Sequence, residues 1–149
     1  MKVNIKKLNE NAIVPTRGSE YAAGYDLYAC IQNESQVIPA GQNRLIGTGL
    51  AVEIPEGYVG LLYARSGLAT KRGLRPANCV GVIDSDYRGE IMVALHNDNL
   101  DTETINSGDR IAQIVIAPYL SVEFEEAKVL NETSRGASGF GSTGTGSMN

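Results

Sequence analysis

Hydrophobic residues in this chain recur mostly at every second position, in short runs broken by glycine, proline, asparagine and aspartate. Leu50, Val52 and Ile54 alternate with Ala51 and Glu53, which predicts a half-buried strand. Val3 to Ile5 is a short alternating start, and Tyr25-Asp26-Leu27-Tyr28-Ala29 reads as a strand. Leu120, Val122 and Phe124 alternate again. Ile111 to Ile116 is nearly all apolar, as expected of a strand covered on both faces. Turns are predicted at Pro39-Ala40-Gly41, Asn97-Asp98-Asn99 and Asn106-Ser107-Gly108-Asp109, and Pro55-Glu56-Gly57 turns the chain into a run from Tyr58 to Tyr63. Asn11 to Ala23 reads as loop. One segment departs from the pattern: Ser66 to Gly73 predicts a short helix with Ser66 as N-cap and Gly73 as stop. Together these elements predict an all-β barrel or jelly-roll-like sandwich. From Asn131 onward the composition shifts to glycine, serine and threonine, so residues 1–130 are expected to form the domain and 131–149 a mobile arm.

Composition narrows the function classes. The 149 residues suit one domain with a real core. A net charge of −4 and a pI of about 5.0 argue against binding along a nucleic-acid backbone, which needs a basic face. No apolar run is long enough to span a membrane, and Met1 to Lys7 has no apolar signal core, so a cytoplasmic location is expected. Cys30 and Cys79 lack metal-type spacing, and His96 is the single histidine. A zinc site or a Cys/His nucleophile pair is therefore not expected, and both cysteines are expected to pack as reduced core residues.

The stretch from Gly81 to Glu90 (GVIDSDYRGE) is where chemistry can concentrate. An apolar run from Val80 to Ile83 enters it, and Ile91-Met92-Val93-Ala94-Leu95 leaves it, which reads as a hairpin. Main-chain donors and acceptors gathered at such a bend can bind a flat heterocycle, and Asp84 beside them can activate water. Asp84 and Asp86 could also share a cation, although paired turn aspartates bonding local N–H groups are commoner.

Other segments are ambiguous one at a time. Arg65, Ser66 and Gly67 at a helix start suit phosphate, but an ordinary capped helix with a surface arginine explains them too. Gln113, inside an apolar strand, needs a partner, which is either a neighbouring strand, a subunit interface or a ligand oxygen. Asp26 in an apolar strand is most simply a solvent-facing carboxylate; the functional alternative is that it holds metal-bound water or a partner arginine. The tail from Arg135 to Gly144 (RGASGFGSTG) combines successive backbone donors with Arg135, Ser142 and Thr143. It also carries Phe140, and Phe–base stacking contributes roughly 1–3 kcal/mol in nucleic-acid binders. It is not a Walker A loop, since no Gly-Lys-Ser/Thr follows.

Taken together and in order, five segments resemble the five motifs of the homotrimeric dUTPase family. They are AGYDLYA at 23–29, ARSGLA at 64–69, GVIDSDYRGEI at 81–91, GDRIAQI at 108–114 and RGASGFGSTG at 135–144. The resemblance runs from Ala23 to Gly144. Ala64 departs from the family's usual proline before the arginine, with little effect expected on function.

The resemblance implies a distorted jelly-roll or β-clip barrel whose arm closes over the site. It implies Mg²⁺-dependent hydrolysis of dUTP to dUMP and pyrophosphate by water attack at the α-phosphorus, which keeps uracil out of DNA and supplies dUMP for thymidylate synthesis. Asp84 would be the general base. Arg65, Ser66 and Gly67 would hold phosphates, and Gln113 would reach phosphate from another subunit. Arg135, Ser142 and Thr143 would clamp the γ-phosphate as the arm closes, with Phe140 over the uracil and Gly141 among the substrate-binding residues. Mg²⁺ would ride on the triphosphate, with Asp26 contacting it through water. Backbone groups of Gly81, Val82, Ile83 and Met92, with the Asn78 amide, would read the base. The Tyr87 ring would pack against C2′ and exclude ribose. The trimer and its shared sites follow from the resemblance, while neither nucleic acid nor membrane is an expected partner. Two rivals remain: a dCTP deaminase-like enzyme of related fold, and a non-catalytic jelly-roll binding module.

Overall fold

The structure, a computed structural model, describes residues 1–139. Phe140, Gly141, Ser142 and Thr143 therefore lie outside the described residues. Among those described, twelve strands and one short helix follow in order. They are β1 (Asn4–Lys7), β2 (Thr16–Arg17), β3 (Tyr25–Tyr28), β4 (Ser35–Ile38), β5 (Asn43–Gly47), β6 (Leu50–Glu53) and β7 (Tyr58–Tyr63), then α1 (Ser66–Arg72). After the helix come β8 (Leu74–Pro76), β9 (Gly81–Ile83), β10 (Met92–Asn97), β11 (Glu103–Asn106) and β12 (Arg110–Pro118).

The largest sheet has the order β2-β3-β12-β7-β9, and every pairing in it is antiparallel. A second sheet has the order β5-β10-β8, and β1-β6 and β4-β11 form two ribbons. The sheets enclose one core in which Leu27, Ile38, Ile46, Leu50, Leu74, Ile91, Leu95, Ile105 and Ile111 are fully buried. This is the all-β jelly-roll arrangement with one short helix that the alternation predicts. Two polar side chains, Thr48 and Asn97, are also fully buried. Asn97 is satisfied three times: its amide donates to the Ile38 and Asp101 carbonyls, and its oxygen accepts the Asn99 N–H. Burying an amide is tolerable only when it is partnered in this way.

The structure differs from the sequence reading in several places. Ala51 is buried along with Leu50 and Val52, because β6 is covered on both faces over these residues. The N-cap of α1 is Arg65, in extended conformation, with no side-chain cap bond; Ser66 is the first helical residue. Gly73 ends the helix in the left-handed conformation at φ 56°, as a helix stop requires. No strand forms over Leu120 to Phe124: β12 ends at Pro118, and Leu120, Val122 and Phe124 are exposed. Among the described residues, alternation there has no facing strand to pair with. Cys79 is exposed rather than core, because it occupies the turn between β8 and β9 at φ 62°. Cys30 is half-buried; burial first, and then the charge of Glu90, push its thiol pKa up.

Candidate active site

The Val80–Leu95 stretch does not form a two-stranded hairpin. β9 pairs with β7 in the large sheet, whereas β10 pairs with β5 and β8 in the other. The two arms therefore part, because each finds a complete ladder elsewhere. Between them lies a cleft of about 150 Å³ lined by Leu62, Pro76, Asn78, Gly81, Val82, Ile83, Met92, Val93 and Ala94. All five of the expected base-reading residues line this cleft. The bond from the Ala77 N–H to the Ala94 carbonyl, at 2.7 Å, ties the approach to β9 onto β10. Cys79 donates its N–H to Pro76 and Val80 to Asn78, which folds the chain tightly between β8 and β9. Edges freed by parting strands supply the main-chain donors and acceptors that a planar base requires.

Asp84 follows β9 directly and is exposed. It lines a larger depression of about 1060 Å³ together with Glu53, Val59, Leu61, Ser85, Asp86 and Arg88. Val82 borders both the cleft and this depression, so the two adjoin at β9, with one residue between Val82 and Asp84. The turn is held locally: Tyr87 donates its N–H to the Asp84 carbonyl at 3.2 Å, and Arg88 reaches back to the carbonyls of Ser85 and Tyr87. Tyr87 is 43% exposed, and its hydroxyl donates to the Glu90 carbonyl at 3.0 Å.

A second cluster joins three other expected segments. Arg65 Nε donates to Asp26 Oδ1 at 2.7 Å, and Arg110 donates to Asp26 Oδ2 at 3.3 Å. The Asp26 side chain is 13% exposed and so depends on these partners. It is not the solvent-facing carboxylate of the simplest reading. Two guanidiniums against one carboxylate leave a net positive charge beside the exposed Ser66 and Gly67. Gln113, opposite Asp26 in register, donates its amide to the Ala64 carbonyl at 2.9 Å. Its partner within the chain is thus the turn that leads into α1. Arg110 was not singled out in the sequence; its place directly after the Gly108-Asp109 turn, one residue from the β12 bulge, is the feature that could have marked it. Arg135 lies in the exposed segment after β12 and donates to the Ser138 carbonyl.

The two clusters are not adjacent in one chain. β9 and β3 are separated by β7 and β12, and Asp26 sits level with Tyr63 while Ile83 sits level with Gly60. With strands ~4.8 Å apart and ~3.3 Å per residue, Asp84 lies roughly 20 Å from Asp26 across the sheet. Among the described residues, no group of three or more His, Cys, Asp and Glu is placed to hold a metal ion, and no helix is long and apolar enough to cross a membrane.

The dUTPase family model matches residues 10–144. The chain belongs to the dUTPase family. It is 49% identical over 144 residues to the deoxyuridine 5'-triphosphate nucleotidohydrolase of Nautilia profundicola, covering 97% of this chain and 99% of that one. With the enzyme of the same name from Desulfitobacterium hafniense it shares 52% identity over 132 residues, covering 88% of this chain and 87% of that one. A dUTPase of Staphylococcus bacteriophage 80alpha, solved with dUpNHpp, superposes with a TM-score of 0.88 at 31% identity, covering 97% and 99% of the two chains. A dUTPase from phage phi11 of S. aureus, whose structure shows coordination of a structural Mg(II) ion, superposes with a TM-score of 0.79 at 30% identity, covering 89% and 100%. The reaction of this dUTPase is hydrolysis of dUTP to dUMP and pyrophosphate.

Proposed function

We propose that uracil binds in the cleft between β9 and β10, and that Asp84 orients and deprotonates the water that attacks the α-phosphorus. The observation that carries this reading is that the cleft holds all five expected base-reading residues and adjoins the Asp84 depression at Val82. Main-chain groups of Gly81, Val82, Ile83 and Met92 and the Asn78 amide read the base. Cytosine would exchange a donor for an acceptor and leave buried groups unpaired, and the methyl of thymine would overlap the cleft wall. Tyr87 lies against the deoxyribose and excludes a 2′-hydroxyl by contact.

Phosphates bind at the Arg65–Ser66–Gly67 turn, where Ser66 and Gly67 are exposed and the Arg65 guanidinium is held beside them by Asp26. Asp26 has both oxygens committed to arginines, so it suits contact with Mg²⁺ through water rather than direct ligation. Mg²⁺ held with the triphosphate near Asp26 would supply charge neutralisation to the phosphates. The arm of residues 131–149, carrying Arg135, Phe140, Gly141, Ser142 and Thr143, closes over base and γ-phosphate and excludes bulk water.

The assembly is a homotrimer with shared sites. The separation of roughly 20 Å between Asp84 and Asp26 supports this, since one nucleotide cannot reach both within a chain and a neighbouring copy must contribute one of them. An apolar groove lined by Val3, Ile5, Tyr25, Val52, Ile114 and Ile116 offers a surface for such a neighbour. The test is Asp84→Asn, assayed for pyrophosphate release and for nucleotide affinity. Affinity for dUTP should stay within about threefold while turnover falls by about 10²–10⁴. Full turnover would remove Asp84 as the base.

A further inference from the structure

We infer that Glu90 is a positioning residue for sugar selectivity: its carboxylate is anchored beneath the Gly47-Thr48-Gly49 turn and so fixes the main-chain carbonyl that orients the Tyr87 ring. The inference rests on the reading of Tyr87 as the residue that excludes ribose.

The anchor is built from both sides. Glu90 Oε1 accepts the Gly49 N–H at 2.7 Å. Room for the carboxylate exists only because residue 47 has no side chain: a Cβ there would sit 2.5 Å from Glu90 Oε1. Gly49 itself adopts φ +66°, and a Cβ on it would meet Ala12 and Cys30 at 2.9 and 3.0 Å. The turn that receives Glu90 therefore requires glycine at both ends, for different reasons. The residue after Glu90 is held to the same turn. Ile91 donates its N–H to the Leu50 carbonyl at 2.7 Å, and its own carbonyl accepts both the N–H and the hydroxyl of Thr48. Thr48 is fully buried, so this clamp is sheltered from water.

On its other side the Glu90 peptide meets Tyr87. The Tyr87 hydroxyl donates to the Glu90 carbonyl at 3.0 Å, and the ring lies so close over Gly89 that a Cβ there would run into it. At 43% exposure the ring is not held by burial. Its direction depends on that single hydrogen bond and on where the Glu90 carbonyl points. The same clamp draws the outgoing arm onto β5 and β6 and away from β9, which keeps the base cleft open. A charge-assisted bond from the carboxylate is a stronger tether than a neutral one would be.

The experiment measures kcat and KM for dUTP and for UTP in the native enzyme and in Glu90→Ala, Glu90→Asp, Glu90→Gln and Tyr87→Ala. In Glu90→Ala the preference for dUTP over UTP in kcat/KM should fall by about tenfold, with dUTP KM rising more than kcat falls. Glu90→Asp keeps the charge but is one methylene too short to reach Gly49, so it should behave the same way. It also serves if the alanine variant does not fold. Glu90→Gln retains an acceptor oxygen and should keep the preference within about twofold of native. An unchanged preference in folded Glu90→Ala or Glu90→Asp would overturn the inference, as would a loss in Glu90→Gln equal to that in Glu90→Ala. If Tyr87→Ala loses the preference while the Glu90 variants keep it, the anchor is rejected and the role of Tyr87 stands. If Tyr87→Ala keeps the preference, both fall.

Discussion

Two inactive variants of this enzyme should restore activity when mixed. Asp84 and the Arg65–Asp26 pair occupy opposite ends of the large sheet, roughly 20 Å apart by strand spacing and register. On the proposed site, a triphosphate spanning base cleft and phosphate turn would take Asp84 from one chain and Arg65 from another. Asp84→Asn removes the base, which costs about 10²–10⁴ in rate. Arg65→Ala removes the phosphate contact and leaves Asp26 with Arg110 as its remaining charged partner. Each variant alone should retain about one per cent of native turnover or less. Assorted at random into a closed cyclic trimer, an equal mixture places intact Asp84 opposite intact Arg65 at about one quarter of sites. Co-refolding the two variants and measuring pyrophosphate release from dUTP with Mg²⁺ should thus give about a quarter of native activity, again for cyclic assembly. Activity no higher than the mean of the two parents would refute the shared site, because no single chain in the mixture carries both residues.

Removing residues 134–149 should leave the fold and its melting transition in place and lower turnover; an unchanged rate would make the arm a linker. Gly81→Ala places a Cβ at 3.1 Å from the Leu62 side chain on the floor of the base cleft. Steady-state kinetics should show dUTP KM rising about fivefold or more with a smaller change in kcat, since the substitution displaces a base-binding edge and not the base catalyst. Asn97→Ala strips partners from the buried Ile38 carbonyl, the Asp101 carbonyl and the Asn99 N–H, and denaturant unfolding should show a loss of about 2 kcal/mol with activity per folded molecule unchanged.

Period-two alternation was enough to recover the β-rich fold, because strands such as β7 and β10 bury one face against the core and leave the other mostly half-buried. It failed where no described strand faces the segment, at Leu120 to Phe124, and where both faces are covered, at Ala51. The Gly81–Glu90 stretch was legible as a site, but its shape was not. Sequence suggests a hairpin between two neighbouring apolar runs; which sheet each run joins is decided by ladders to distant β5, β7 and β8. Asp26, Arg65 and Gln113 could be flagged singly, yet their convergence depends on the registers of β3, β12 and β7. Glu90 carried no signal of its own, because its partner Gly49 lies 41 positions away and contributes only a backbone N–H.

The most direct measurement is a crystal structure of the trimer with dUpNHpp and Mg²⁺. Uracil should lie between β9 and β10 in bonds to the main chain of Gly81 to Ile83 and Met92, with one water between the Asp84 carboxylate and the α-phosphorus, opposite the leaving group. A nucleotide seated outside that cleft, or an Asp84 carboxylate turned away from the α-phosphorus with no water between them, would contradict it.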